Sequence, residues 1–352
     1  MSDNGSEQNI IKQGKQSFLP GRKPSPTQIA FYLYSNFSMI AFATAIEALR
    51  LANRVAMVDL YKWVIISTDG KPASASNGMT VQVDQSAAET RIIPGKDKPY
   101  DYVFLCSGLG VDKIHDKTAE SWLKVQAFQD CKIGALCTGS HVLAEAGLLK
   151  NHKCVIHWEN LDSFREKFPD IPCSADLYEV DDNRLTCGGG TASLDLMLHI
   201  IQSEHGRDLA WAVSELCLVD RMRNPHDQQR LPIQTRLGIH NSKVITIIET
   251  MEANIQDPLT MEELADRAGF SRRQMERVFA EHAGRSPAKF YLDIRLQRAR
   301  HLLFQSDMPI LDIALASGFV SASHFSKAYK QMYGKSPRDE RRQMSSETSD
   351  MS

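Results

Sequence analysis

Two stretches near the C-terminal end decide the fold, because each repeats the other: LADRAGF at 264–270 and IALASGF at 313–319. After a one-residue insertion the match continues, and GRSP at 284–287 returns as GKSP at 334–337. Matched positions in the same order are hard to obtain by chance, so this segment contains an internal repeat.

Each copy has the pattern of two short helices joined by a tight turn. In the first copy Thr260 begins a helix with apolar residues at helical spacing, and Gly269 supplies the left-handed backbone that ends it. Ser271 then begins a second helix. The inward-facing positions of that helix are Met275, Val278 and Phe279. This is the anatomy of a helix-turn-helix, and we place the first unit at about 260–281.

The second copy follows the same plan at about 308–331. Asp307 and Pro309 open its first helix, and Ser321 begins its second. Between the copies, Pro287 starts a long amphipathic helix that would hold the units at a fixed separation. Two recognition helices that enter successive major grooves on one face of DNA lie roughly 34 Å apart.

The second helix of each copy predicts a DNA-binding surface. Polar side chains there can reach base edges or phosphates. They are Arg272, Arg273, Glu276 and Arg277 in the first copy, and Ser323, His324, Ser326 and Lys327 in the second. The alternative is a helical bundle that binds no nucleic acid, because this geometry alone is common.

Composition is typical of a globular protein, with 42% hydrophobic and 24% charged residues. The net charge of −2 does not favour DNA, but residues 241–342 carry 16 Lys+Arg against 13 Asp+Glu. No apolar run is long enough for a membrane span, and no signal peptide is recognisable. Seven cysteines without a close pair predict reduced thiols, no zinc site and a cytoplasmic location. We expect a disordered leader at 1–25 and an unstructured tail at 343–352.

The N-terminal half, residues 26–220, alternates short apolar runs with helical patterns, which predicts an α/β layered domain. A polar segment with two prolines, 221–240, is typical of an interdomain linker. The most informative turn is ALCTG at 135–139, which has the small neighbours of a nucleophile elbow around Cys137. His157 and Trp158 follow about twenty residues later.

The C-terminal segment, 241–342, resembles the AraC/XylS-type DNA-binding domain. It carries the family's Gly-Phe turns, the Arg295-Leu296-x-x-Ala299 pattern and the closing Gly334-x-Ser336-Pro337. It departs from the family where Glu340-Arg341 replaces the usual Tyr-Arg. The resemblance implies an all-α tandem helix-turn-helix domain.

The N-terminal half resembles the DJ-1/PfpI, class I glutamine amidotransferase-like superfamily. The residues that carry this resemblance are Glu47-Ala48-Leu49-Arg50, Ser107-Gly108-Leu109-Gly110, the Cys137 elbow, His157-Trp158 and Gly188-Gly189-Gly190-Thr191. No Lys follows the glycine run, so it is not a phosphate loop. Active relatives pair the elbow Cys with a Glu or a following His, where this sequence has Ala41 and Thr138. We therefore expect no catalytic residue.

We predict a ligand site formed by Phe37, Cys137, Thr138, His157 and Trp158. The helix after Cys137 would favour a carboxylate, and the Trp158 ring would face a cation. His157 is alternatively a hydrogen-bonded core histidine, and Trp158 is alternatively a core residue.

The combined domains resemble GlxA-type regulators, which implies a transcription activator. The implied effector is a small nitrogenous metabolite, such as an amino acid, glycine betaine or carnitine. We expect a DNA operator, RNA polymerase and a second copy of the chain as partners, and no metal, cofactor or membrane. The alternatives are a cysteine-dependent DJ-1/PfpI-type enzyme with an appended DNA-binding domain, and a constitutive DNA binder whose N-terminal half only dimerises.

Overall fold

The computed structural model describes residues 25–89 and 100–349, with side chains up to residue 343. The chain divides after Gln229 into an N-terminal unit and a C-terminal unit that begins at Arg230. The predicted leader, apart from its last residue, lies outside the described residues.

A seven-stranded sheet in the described residues forms the centre of the N-terminal unit. Its order is β10-β11-β7-β6-β1-β2-β5, and all neighbours are parallel except the β10–β11 hairpin at one edge. The strands are β1 (Thr27–Leu33), β2 (Tyr61–Ser67), β5 (Gln85–Ser86), β6 (Tyr102–Cys106), β7 (Lys132–Leu136), β10 (Tyr178–Asp181) and β11 (Arg184–Cys187). Four two-residue strands form two separate small ladders: β3 (Ala73–Ser74) with β4 (Thr80–Val81), and β8 (Cys154–Val155) with β9 (Cys173–Ser174).

Helices cover both faces of the sheet, because alternate residues of each central strand point to opposite sides. In β1, Phe31 packs into one apolar core and Tyr32 into the other. One core contains α1 (Met39–Ala56), α5 (Ala192–His205) and α6 (Arg207–Leu216). The other contains α2 (Lys117–Phe128), α3 (Gly139–Glu145) and α4 (Leu161–Lys167). The predicted α/β fold class is confirmed.

The C-terminal unit is helical and has two cores, one for each repeat. The first core is built from α7 (Ile233–Leu237), α8 (Ser242–Ala253), α9 (Met261–Arg267) and α10 (Arg272–Ala283). The second is built around α12 (Ile310–Ala316) and α13 (Ala322–Tyr333). The long helix α11 (Pro287–Gln305) contributes Tyr291 to the first core and Leu296 to the second, so it connects them rigidly.

Two predicted boundaries are wrong. The segment 221–240 is not a free linker: Gln229 is hydrogen-bonded within the N-terminal unit, and Ile233 and Ile239 are buried in the first helical core. The helix α14 (Pro337–Ser349) includes residues that we predicted as an unstructured tail. Pro337 and the Ser336–Asp339 contact start this helix, and no breaker follows within it. None of the helices in the described ranges is long and apolar enough to cross a membrane.

Candidate nucleic-acid interface and ligand site

The first helix-turn-helix has both of its predicted caps. Thr260 and Glu263 form a capping box at α9, and Ser271 and Gln274 form another at α10. The turn between the helices passes through Gly269 at φ +66°, where a side chain would be strained. Two capped starts around a left-handed glycine fix where α10 begins, and therefore which side chains its first turns expose.

Of the four predicted DNA-facing residues of α10, two form an ion pair with each other, Arg272 and Glu276, and the other two are exposed arginines. Arg272 is held by carboxylates, with its guanidinium 2.5 Å from Glu262 and 2.9 Å from Glu276. Arg273 and Arg277 are exposed. Exposed ion pairs are weak, but they must break before Arg272 can bind a phosphate or a base. The cations presented most openly by α10 are therefore Arg273 and Arg277.

The second unit exposes a more neutral surface. Ser321 caps α13 through the His324 N–H, and Ser323, His324 and Lys327 are exposed while Ser326 is half-buried. At α12, Pro309 occupies the N-cap position without a side-chain cap, so the helix opens at Pro309 as predicted, and Asp307 lies before its start.

Arg295 in the long helix α11 binds the turn between α12 and α13. Its guanidinium donates to the carbonyls of Ser317 and Gly318 at 3.1 and 2.5 Å, and it lies 4.3 Å from the centre of the Phe319 ring. These bonds satisfy carbonyls at the end of α12 and fix the turn before α13. Glu340, where this sequence differs from the family pattern, connects two helices to α14, because its carboxylate accepts hydrogen bonds from Tyr329 in α13 and Arg300 in α11.

The predicted ligand site lies where β1, β6 and β7 end, at the carboxyl edge of the sheet. Cys137 follows β7 at φ +62°, the strained backbone that an elbow requires. Its neighbours must be small: a Cβ on Gly139 would lie 2.6 Å from the Leu105 carbonyl, and one on Gly189 2.6 Å from the Cys137 Cβ. From β1 the chain continues to β2 on one side of the sheet and then to β6 on the other, so the strand order reverses between β1 and β6. In α/β folds, ligands bind at the carboxyl ends of the strands at such a reversal.

The Cys137 thiol is poorly suited to nucleophilic chemistry. Burial raises its pKa to about 12, and the buried Cys187 thiol adds to this, while bonds from the Thr138 N–H and the Ser38 hydroxyl act in the other direction. The thiolate is the reactive form, so a raised pKa keeps the group inert near neutral pH. Ala41, the position where active relatives carry an acid, is a buried alanine.

Two of the predicted ligand residues, Thr138 and Phe37, are buried and contact other residues of the N-terminal unit. The Thr138 hydroxyl donates to the Gly108 carbonyl at 2.8 Å, and the residue is buried. The Phe37 ring is fully buried against Phe42, so it has no surface for a ligand and we do not retain it as a pocket wall. Its ring points into the core because its backbone is bridged to Ala75 and Gly108.

His157 and Trp158 remain accessible beside Cys137. The backbone N–H of His157 donates to the Cys137 carbonyl at 3.3 Å, and the centres of the His157 and Trp158 rings are 5.8 Å apart. Burial lowers the pKa of His157, while the Glu159 carboxylate opposes that effect. A neutral imidazole next to a half-exposed indole presents hydrogen-bonding and aromatic surface to a small molecule.

The DJ-1/PfpI family model matches residues 27–203, and a model described as a helix-turn-helix domain matches 264–343. The HTH-type transcriptional regulator GbdR of Pseudomonas aeruginosa is 41% identical over 328 residues, 92% of this chain and 88% of that protein. CdhR of the same species is 41% identical, covering 88% and 90% of the two chains, and GlxA of Rhizobium meliloti is 34% identical, covering 91% and 97%. The chain belongs to the AraC-type transcriptional regulators that carry a DJ-1/PfpI domain. It is a DNA-binding regulator of transcription, and its named relatives are regulators too.

Sequence reasoning missed some residues around the Cys137 elbow of this regulator. The Ser38 hydroxyl hydrogen-bonds the elbow thiol, and a Cβ on Gly189 would lie 2.6 Å from the Cys137 Cβ. The Gln229 amide oxygen accepts from the Trp158 backbone N–H at 2.8 Å. The glycine run at 188–190 is part of the sequence resemblance to the DJ-1/PfpI superfamily. Gln229 lies in the segment 221–240, whose composition predicts a linker. Within the described part of the chain, no group of three or more His, Cys, Asp or Glu side chains is arranged to hold a metal ion.

A cavity of about 600 Å³ also lies in the N-terminal unit, away from the elbow. Lys153, Arg165, Asp176, Glu179 and His226 contribute its charged and titratable side chains. None of the predicted ligand residues lines it. Its volume falls in the range of small-molecule sites, so it is a rival location for an effector.

Proposed function

We propose that this regulator is an effector-responsive activator that reads a specific operator through α10 and α13. The observation that supports this is the pair of helix starts, each capped and exposing side chains suited to bases and phosphates. The proposed DNA-facing residues are those predicted from the sequence: Arg272, Arg273, Glu276, Arg277, Ser323, His324, Ser326 and Lys327. In this proposal Arg273 and Arg277 contribute most within α10, because they are exposed while Arg272 is held by the Glu262 and Glu276 carboxylates.

We further propose that the effector is a small nitrogenous metabolite held beside Cys137, His157 and Trp158. An amino acid or a methylated amine such as glycine betaine or carnitine carries a cation that an indole face binds. The half-exposed rings at the carboxyl edge of the sheet support this location. In keeping with an activator, we propose a homodimer that contacts RNA polymerase at the promoter, in the cytoplasm.

A thermal-shift screen of the full chain tests the effector class. Glycine betaine, carnitine and amino acids are added to wild type and to Trp158→Ala, Trp158→Phe and His226→Ala. A ligand that binds only the folded state adds about 2.7 kcal/mol of stability at one hundred times its Kd. We expect one of these compounds to stabilise wild type and His226→Ala, Trp158→Phe to respond partly, and Trp158→Ala to lose the response.

Two outcomes contradict the proposal, and a third makes Trp158→Phe the deciding variant. No response in wild type overturns the effector class, and loss only in His226→Ala moves the site to the 600 Å³ cavity. A Trp158→Ala protein that is unfolded before any ligand is added favours Trp158 as a core residue; Trp158→Phe then decides the site.

The competing function is a cysteine-dependent enzyme of the DJ-1/PfpI kind. The raised pKa of the Cys137 thiol, caused mainly by burial, disfavours it. Assays of peptidase, deglycase and amidase turnover with wild type and Cys137→Ala separate the two functions. Turnover that disappears in Cys137→Ala would favour the enzyme.

A further inference from the structure

The segment 221–229, which leads into the C-terminal unit, is hydrogen-bonded to the N-terminal unit along its length. The Leu177 N–H donates to the Pro225 carbonyl at 2.9 Å, and the Gln229 N–H donates to the Ala175 carbonyl at 3.2 Å. Near its start, Arg223 donates to the buried Asp195 carboxylate at 2.5 Å and to the Thr191 hydroxyl at 2.7 Å. This polar, proline-containing stretch therefore has a defined path up to its last residue, Gln229.

The Gln229 side chain makes three hydrogen bonds, all to backbone. Its amide nitrogen donates to the carbonyls of Ile156 and Asp176 at 2.8 and 2.7 Å. Its amide oxygen accepts from the Trp158 N–H at 2.8 Å. A glutamine side chain offers two N–H donors and a carbonyl acceptor, and this geometry uses both donors and the acceptor at once.

The glycine run accommodates this amide and connects it to the elbow. A Cβ on Gly188 would lie 2.3 Å from the Gln229 side-chain carbon, and one on Gly189 would lie 2.6 Å from the Cys137 Cβ. The His157 N–H also bonds the Cys137 carbonyl. Gln229, the His157–Trp158 loop, the glycine run and Cys137 are therefore connected in a closed series of contacts.

We infer that Gln229 is the positioning residue that transmits a change in the His157–Trp158 loop to the chain entering the DNA-binding unit. This inference rests on the proposed effector site. Arg230, the next residue, begins the C-terminal unit. If the loop moves, the Gln229 amide either moves with it or leaves polar groups without partners, which is costly in a half-buried place. The segment then has two discrete arrangements, which is what coupling between sites requires.

The matched control for Gln229→Ala is Gln228→Ala. Gln228 is the same residue type one position earlier, but it is exposed, and its amide makes a 3.3 Å contact with the Asp176 carboxylate. Gly188→Ala is a second route to the same effect, because its new methyl group would expel the Gln229 amide without requiring a positive φ.

Hydrogen exchange of the full chain without any added ligand tests the inference. Gln229→Ala and Gly188→Ala should each raise the exchange rate of the Trp158 amide and of residues 226–232 about tenfold, and Gln228→Ala by less than about twofold. Gly188→Ala should add less than about twofold at 226–232 in the Gln229→Ala background, because both substitutions remove the same side-chain hydrogen bonds. If Gln229→Ala does not fold, Gln229→Glu takes its place.

Independent, multiplying effects of Gly188→Ala and Gln229→Ala at 226–232 would overturn the inference, as would an unchanged exchange rate of the Trp158 backbone amide in Gln229→Ala. A second measurement uses glycine betaine as the probe and operator affinity as the readout. At glycine betaine concentrations that saturate each protein, we expect the operator affinity of wild type and Gln228→Ala to respond and that of Gln229→Ala not to respond. If wild type itself does not bind glycine betaine, the proposed effector fails, and the exchange cycle still decides the role of Gln229.

Discussion

Replacing Arg277 with alanine removes one of the two exposed guanidinium groups of α10 that, unlike Arg272, are not paired with Glu262 and Glu276. A guanidinium that binds a guanine through two hydrogen bonds contributes about 1–3 kcal/mol of discrimination. We therefore expect Arg277→Ala to weaken specific operator binding by about 5- to 150-fold. Binding to unrelated DNA should weaken much less, because phosphate contacts carry that part of the affinity.

The same helix provides the matched comparison, Arg272→Ala. The Arg272 guanidinium already lies 2.5 Å from Glu262 and 2.9 Å from Glu276, so it must leave both carboxylates before it can bind DNA. We expect a smaller loss of specific affinity from this variant than from Arg277→Ala.

Fluorescence anisotropy with a selected duplex and a scrambled duplex of equal length measures both affinities, and thermal unfolding checks that each variant is folded. Equal losses on the two duplexes would mean that Arg277 reads no base. Unchanged affinity in Arg277→Ala would refute the assignment of α10 as a recognition helix.

Three other predictions concern single features of the chain. Lys327→Ala should reduce the slope of log affinity against log salt by about one, if Lys327 contacts phosphate, and an unchanged slope excludes that contact. The fragment 230–352 should fold and bind DNA without responding to an effector, whereas one starting at 241 lacks the buried Ile233 and Ile239 and should lose about 3 kcal/mol in urea unfolding; equal stabilities would contradict this. Glu145 is partly buried, which opposes ionisation, yet hydrogen bonds from His141 and Lys167 lower its pKa to about 2 from 4.5. The stability that this ion contributes is therefore full above pH 4.5 and is lost as the pH falls towards 2, a decline that chemical denaturation should find reduced in Glu145→Gln.

The parts of the fold that could be predicted from sequence are those with local physical signatures. The caps at Ser271 and Ser321 and the left-handed Gly269 depend on a few neighbouring residues, and all three are confirmed. The elbow at Cys137 was predicted in the same way, because small neighbours accompany its strained backbone. Each of these features is set within about one turn of chain.

The parts that could not be predicted depend on partners distant in sequence. Gln229 bonds Trp158 and Ile156 across 71 and 73 positions, and no periodicity marks such a bond. The burial of Phe37 depends on packing against α1 and on backbone bridges to two other segments. A polar stretch with prolines resembles a linker in composition even when its backbone and side chains are fastened, as 221–229 shows.

Selection of random duplex DNA by the full chain, followed by sequencing, tests the central claim most directly. Two recognition helices on one face of DNA should select two conserved blocks with centres about 10–10.5 base pairs apart, one helical turn. Arg277→Ala should erase specificity within one block and leave the spacing unchanged. A single block, or no enrichment at all, would contradict a tandem reading of DNA by α10 and α13.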